Sequence, residues 1–296
     1  MALTHQLDRR GTPVREFFET NFPPAAFKLL SKAWYEQVRA APVICEPPEG
    51  VNPGTIGTAF DYRARLCWAP LDWTNTVAAG GMMQLIRTGN PELGLLLTAV
   101  GKELSQLAPE RCGAGLERDR EERICRCCYV LALYEQFFRT LAAAASSPLL
   151  EVNGDASVDE LLALAPQAAV DDLAAMAALM YERLGDLIDS SAVLNPTFDG
   201  SVPIGGADAD LIVDHVLLEL KTTKQDKFER VDHVCQLLGY ALLDYSNTYD
   251  ITRVGVYLAR RGALVSWPIA ELLQSCCITQ DWSSLQDEFK LAVDAV

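Results

Sequence analysis

Residues 208–224, "DADLIVDHVLLELKTTK", decide how this chain is read. The stretch is strand-like, with Leu, Ile and Val in two short runs, yet acids and lysines interrupt it. Successive side chains of an extended strand point to opposite faces. Glu219 and Lys221 therefore share one face, while Leu218, Leu220 and Thr222 take the other. Asp208 and Asp210 share a face of the preceding strand. Asp214-His215 stands where a tight turn would join the two strands, and a hairpin closed there brings Asp210 close to Glu219. Asp210 is the better candidate of the two aspartates, because the apolar Leu211-Ile212-Val213 follows it directly; Asp208 reads as a spare acid near the strand start. Two carboxylates and one ammonium then converge on one patch of sheet.

Such a patch suits metal-assisted phosphodiester hydrolysis. Hard carboxylate oxygens bind Mg²⁺ or Mn²⁺, whose octahedral shell leaves room for water and a phosphate oxygen. The metal acidifies its water and offsets charge in the transition state. A nearby lysine positions or deprotonates the attacking water, or stabilises developing charge. The same charges also have a plainer reading: a surface ion pair on a solvent-facing edge strand.

Outward from this stretch, the chain changes character near residue 190. Residues 1–45 look helical, with Thr12 as N-cap and Pro13 at the first helical position of "TPVREFFETNF". A Pro/Gly-rich loop, "CEPPEGVNPGT", leads to a helix at "IGTAFDYRARLCWA". Helices are also expected over 81–106 and 119–145, and two more in 155–188, with Ser157 and Val170-Asp171 near their starts. Behind "NPTFDGSVPIGGADAD" come strands over 203–213 and 216–222, a helix over 227–246, and a hairpin of "RVGVYLAR" and "ALVSWPI" joined by Arg261-Gly262. One or two helices close the chain.

Asp210 followed by Glu219-Leu220-Lys221 resembles the signature of the PD-(D/E)XK nuclease superfamily. Gln236-Leu-Leu-Gly-Tyr240 on the following helix resembles the Q-x-x-x-Y motif of its RecB-like branch, and at i,i+4 the two polar residues share one helix face. Val231, Val234, Leu238, Ala241 and Tyr245 form the apolar stripe of that helix. Upstream, "IGTAFDYRARL" (56–66) resembles the branch's helical G-x-x-x-H motif, with Gly57 in place and Asp61 where the family has histidine. The resemblance covers roughly residues 55–68 and 195–268. It implies an α/β fold: a restriction-endonuclease-like core, a mixed central sheet flanked by helices, with a large mostly helical N-terminal or inserted lobe. The expected division is a helical lobe over 1–190, including the first core helix at about 55–68, and the nuclease core over 191–296. The resemblance further implies a Mg²⁺- or Mn²⁺-dependent deoxyribonuclease acting in DNA repair, recombination or defence against foreign DNA. Asp210, Glu219, the carbonyl of Leu220 and Asp61 would hold the metal, and Lys221 would orient the attacking water. Gln236 and Tyr240 would contact the DNA backbone or brace the site, and Arg63 and Arg65 would reach a phosphate. The alternative is a nuclease fold without catalysis, a binding module that works through a protein or nucleic-acid partner.

Composition narrows the field. The 296 residues carry a net charge of −15, so no generally basic surface holds a polyanion; nucleic acid must meet a local basic groove, a metal or a partner. There is no G-x-x-x-x-G-K-[ST] loop and no G-x-S-x-G elbow, which argues against an ATP-driven helicase or a triad hydrolase. The N-terminus lacks the apolar run of a signal peptide, and no stretch reaches the length of a membrane span. Nine cysteines, an odd number with adjacent pairs, are expected as reduced thiols in the cytoplasm. The spacing of Cys112, Cys125, Cys127 and Cys128 favours buried thiols over a metal site.

Overall fold

The computed structural model describes every residue except Met1, Ala114, residues 140–146 and Gly154, and every side chain among the described residues other than those of Ala26, Val231 and Asp232. The chain divides into two compact units: residues 1–43 with 190–296, and residues 44–189.

The first unit begins with α1 (Leu3–Asp8), α2 (Pro13–Asn21) and α3 (Lys28–Ala40). The Thr12 hydroxyl accepts from the Arg15 amide at 3.3 Å, satisfying one of the amides that an α-helix leaves without a partner at its start.

The second unit is helical: α4 (Pro53–Arg65), α5 (Val77–Arg87), α6 (Pro91–Leu107), α7 (Arg118–Arg139), α8 (Val158–Leu162), α9 (Gln167–Arg183) and α10 (Gly185–Ile188). The single helix expected over 81–106 is two. Gly89 takes φ +93° and Pro91 opens α6 at its first turn, so the run breaks between them. The helix expected over 119–145 is observed as Arg118–Arg139, and residues 140–145 of that expectation lie outside the described residues. Ser157 and Glu160 close a capping box on α8. α9 starts at Gln167, three residues before Val170, because Pro166 provides the extended N-cap. Gly81 of α5 lies flat against α7: a Cβ there would fall 2.0 Å from the Tyr134 carbonyl oxygen.

The first unit resumes with a five-stranded open mixed sheet in the order β1 (Ala192–Leu194), β2 (Leu211–Val213), β3 (Val216–Lys221), β4 (Arg253–Leu258) and β5 (Ala263–Pro268). β3 and β4 are parallel; the other neighbours are antiparallel. The β2–β3 hairpin pairs Val213 with Val216, and Asp214 and His215 take φ 49° and 62°. Both central residues thus adopt the left-handed conformation that matches the twist of the flanking strands. The strand expected from residue 203 starts only at Leu211, since Gly205 and Gly206 turn the chain at φ 82° and 122°. A π-helical turn (Val231–Cys235) runs into α11 (Gln236–Leu242), a shorter and less regular element than the helix expected over 227–246. α12 (Ile269–Ser275) and α13 (Trp282–Asp294) close the chain.

One apolar core joins the sheet to its helices. Ile212, Leu217, Val254, Val256 and Trp267 of the strands are buried with Leu237 and Leu238 of α11. Residues 1–43 belong to this unit, a correction to their expected place in the helical lobe. The cause is aromatic burial: Phe17 and Phe18 of α2 meet Phe289 of α13 at 5.0 and 5.6 Å, and Trp34 of α3 stacks 6.3 Å from Trp267. Each fully buried ring contributes about 1.5–3 kcal/mol, too much to leave exposed. The helical part is therefore an insertion in the sequence of the α/β unit. Among the described residues no helix is long and apolar enough to cross a membrane.

Candidate functional site

β3 is the central strand, and Glu219 is 8 % exposed. The plain reading of a solvent-facing edge strand therefore does not hold. Continuing the β2–β3 register by one residue sets Asp210 opposite Glu219 on the same face as Ile212 and Leu217. That face is the one packed on α11, so the charges stand at the end of an apolar layer. Asp210 precedes the ladder, and its carboxylate takes the place of a strand partner: Oδ2 accepts from the Leu220 amide at 2.7 Å.

Glu219 is the hub. Its Oε1 accepts from Lys221 Nζ at 2.8 Å and from Gln236 Nε2 at 3.3 Å. Gln236 Nε2 also donates to the Tyr240 hydroxyl at 3.1 Å. The i,i+4 pair thus faces the sheet, buried, rather than forming a polar edge of the helix. Val234, Leu238 and Ala241 of the expected apolar stripe are buried with them. The Tyr240 ring lies parallel to Phe198 at 5.8 Å. Burial raises the Tyr240 phenol, and the negative charges of Glu219, Asp210 and Asp208 raise it further. Tyr240 is therefore a neutral phenol in a negative field. Asp208, set aside in the sequence, contributes to that field.

His233 lies on the π-helical turn. Its ring stacks on Trp34 at 4.2 Å, and Nδ1 accepts from the Glu229 amide at 3.1 Å. Burial, and after it the Lys221 charge, pulls its pKa down to about 4, so the ring is neutral at neutral pH. Trp34 lies 199 residues away in sequence, and no local pattern announces the stack.

Arg63, Asp61 and Arg65 sit on α4 in the helical unit. Asp61 and Arg65, i,i+4 on one face, form a two-contact ion pair. Arg63 is buried and forks onto Glu121 of α7, with Nε–Oε1 and Nη2–Oε2 both at 2.7 Å. Next to it Tyr62 donates to Glu135 at 2.5 Å. Glu121, unremarked in the sequence, is the partner that the buried Arg63 requires. Charge here is matched within helices and between α4 and α7. The pocket of about 340 Å³ beside it is lined by Arg63, Glu121, Asp171 and the small face Ala174, Ala177 and Ala178.

The metal expectation depends on the donor set. Among the described residues no three His, Cys, Asp or Glu side chains gather into a cage by themselves. A Mg²⁺ site does not require one, since that ion keeps several waters and takes one or two carboxylates. In the α/β unit the charges of Asp208, Asp210 and Glu219 all act on Tyr240, and the Lys221 ammonium bonds Glu219. Carboxylates gathered in this way are the hard oxygen donors that a divalent cation takes. All nine cysteines are free thiols, and burial raises those of Cys67, Cys112, Cys125, Cys127 and Cys128, which suits apolar packing. No protein-family model, no curated protein and no solved structure matches this chain.

Proposed function

We propose that the chain is a Mg²⁺- or Mn²⁺-dependent deoxyribonuclease with a restriction-endonuclease-like core. The observation that carries this reading is the bonded set on one face of β3: Asp210 on the Leu220 amide, and Lys221, Gln236 and through it Tyr240 on Glu219. Asp210, Glu219 and the Leu220 carbonyl would hold the ion. When bound, it supplies an acidified water and positive charge for the phosphate oxygens. The protein's own residues do the rest. Gln236 and Lys221 orient Glu219 by bonding a single oxygen, Oε1. Lys221, held on Glu219 Oε1, would stand beside that water and hold or yield a proton there. The neutral Tyr240 phenol braces Gln236 against Phe198. Asp61 commits both carboxylate oxygens to Arg65, so it is not used as a ligand in this reading. The free thiols suit a reducing compartment, the cytoplasm.

Titration calorimetry with Mn²⁺ tests the ligand set. Wild type is expected to bind one ion, and Asp210→Asn or Glu219→Gln to lose most of the heat. A chain that binds DNA but gives no Mn²⁺ heat would instead be a binding module on the same frame.

A further inference from the structure

A polyanion needs somewhere to lie on a chain of net charge −15, and the charge is unevenly spread. Residues 44–189 hold 21 Asp and Glu against 11 Lys and Arg, whereas the α/β unit holds 19 against 14. Six of the fourteen cations of the α/β unit fall in two short runs, the first of which also carries Asp226 and Glu229. Lys221, Lys224, Lys227 and Arg230 follow one another at three-residue intervals directly out of β3, and Arg260-Arg261 follow directly out of β4. β3 and β4 are parallel neighbours with Lys221 opposite Leu258. Both basic runs therefore leave the same carboxyl end of the sheet, beside Glu219 and Lys221. Ligands of open α/β sheets bind outside that end.

The segment after β3 has no regular structure, yet it is held along its length. Arg260 Nε donates to the Thr222 carbonyl at 2.6 Å, and Arg261 Nη2 to the Lys224 carbonyl at 2.8 Å. Trp34 Nε1 donates to the Asp226 carbonyl at 2.8 Å, and the Phe228 amide donates to the Tyr35 hydroxyl at 3.4 Å. Arg230 Nη1 donates to the Phe22 carbonyl at 3.2 Å, with its guanidinium over the Phe27 ring. Arg261 Nη1 also reaches the Ala41 carbonyl at 2.7 Å. The carbonyls that Arg230 and Arg261 bond are uncharged, although Arg261 Nε is buried without a partner and the Arg230 charge also acts on Glu19. Lys224 is exposed, and Lys227 is 68 % exposed in a surface pair with Glu229, a pairing weak enough to exchange for phosphate.

We propose that residues 221–230, backed by Arg261, form the track that leads the backbone of a DNA strand to Glu219 and Lys221. Lys224, Lys227 and Arg230 contact successive phosphates, and the α3 contacts keep the track in place. The identity of the substrate rests on the nuclease reading; the track itself is a statement about binding. Such contacts are indifferent to sequence and sensitive to salt.

Fluorescence anisotropy of the full chain with a labelled single-stranded DNA, in EDTA so that nothing is cut, reads affinity against KCl concentration. The double variant Lys224→Gln/Lys227→Gln is expected to bind about tenfold more weakly at moderate salt. Its log–log salt slope should flatten by roughly 0.7 per lost contact. Lys32→Gln, at an exposed lysine on α3, should change neither value. Unchanged binding by the double variant, an equal loss in Lys32→Gln, or tighter binding of an RNA of the same sequence would overturn the proposal. If wild type cuts DNA while the double variant binds and cuts equally well, the track fails and the nuclease reading survives. If no metal supports cutting but the double variant loses binding as stated, the nuclease reading fails and the track survives.

Discussion

The α/β unit and the helical unit each contain a short run that mixes carboxylates with cations, and the two runs resolve their charges differently. On α4 the helical repeat sets Asp61 and Arg65 on one face, where they pair, while Arg63 turns to Glu121 on α7. Every charge named there finds an opposite charge. In the sheet, strand alternation and hairpin register force Asp210 and Glu219 side by side, with Asp210 on the Leu220 amide and Glu219 on the Lys221 ammonium. A helix lets charges neutralise one another locally. A hairpin sets like charges side by side, and neighbouring carboxylates are the hard donors that a cation takes. The mixed charges on α4 therefore pair within the helical unit, and those on β3 are the ones that the nuclease reading assigns to chemistry.

The sharpest way to break this contrast is to neutralise one acid in each run. Glu219→Gln should lower initial rates on labelled DNA by about 10³-fold, the scale of losing one charge-stabilising group. Asp61→Asn should stay within about threefold of wild type; a comparable loss there would erase the distinction. The converse experiment measures stability. Arg63→Ala strands the largely buried Glu121 carboxylate, and urea denaturation should show a loss of about 3–5 kcal/mol. Arg65→Ala, at an i,i+4 pair only slightly more exposed, should cost less, about 1–3 kcal/mol.

His233 offers an intermediate effect through pH. Folding lowers its pKa from the usual 6.5 to about 4, so the unfolded chain takes up the proton first. Its contribution to stability is complete above pH 6.5 and is lost as pH falls toward 4. Urea midpoints at pH 7 and pH 4.5 should therefore drop further for wild type than for His233→Phe, which keeps a ring on Trp34 and has no proton to gain. The smallest expected effect is at the brace. Tyr240→Phe removes the bond from Gln236 but keeps the ring on Phe198, and should cost about 1 kcal/mol of stability and no more than about tenfold in rate.

The site was legible in the sequence wherever periodicity is short. Period two in 208–222 placed Asp210 and Glu219 on one face, and i,i+4 spacing placed Gln236 beside Tyr240. Asp214-His215 marked the turn because both residues tolerate positive φ. What escaped depends on partners distant in sequence. β1 is three residues long, with Val193 exposed, and carries no pattern of its own. The N-terminal helices look like those of the insertion until Phe17 and Phe18 meet Phe289. The Trp34–His233 stack and the Arg63–Glu121 fork were hidden for the same reason. The break between α5 and α6 was readable from Gly89 and Pro91, but the apolar run on both sides masked it.

The central claim is that the charges of β3 are catalytic and those of α4 are not. Cleavage of labelled DNA in Mg²⁺ or Mn²⁺ by wild type and Lys221→Ala tests it most directly. The account predicts metal-dependent cutting by wild type and a loss of about 10²–10⁴-fold in Lys221→Ala, with metal binding retained. Equal rates for the two proteins would contradict it.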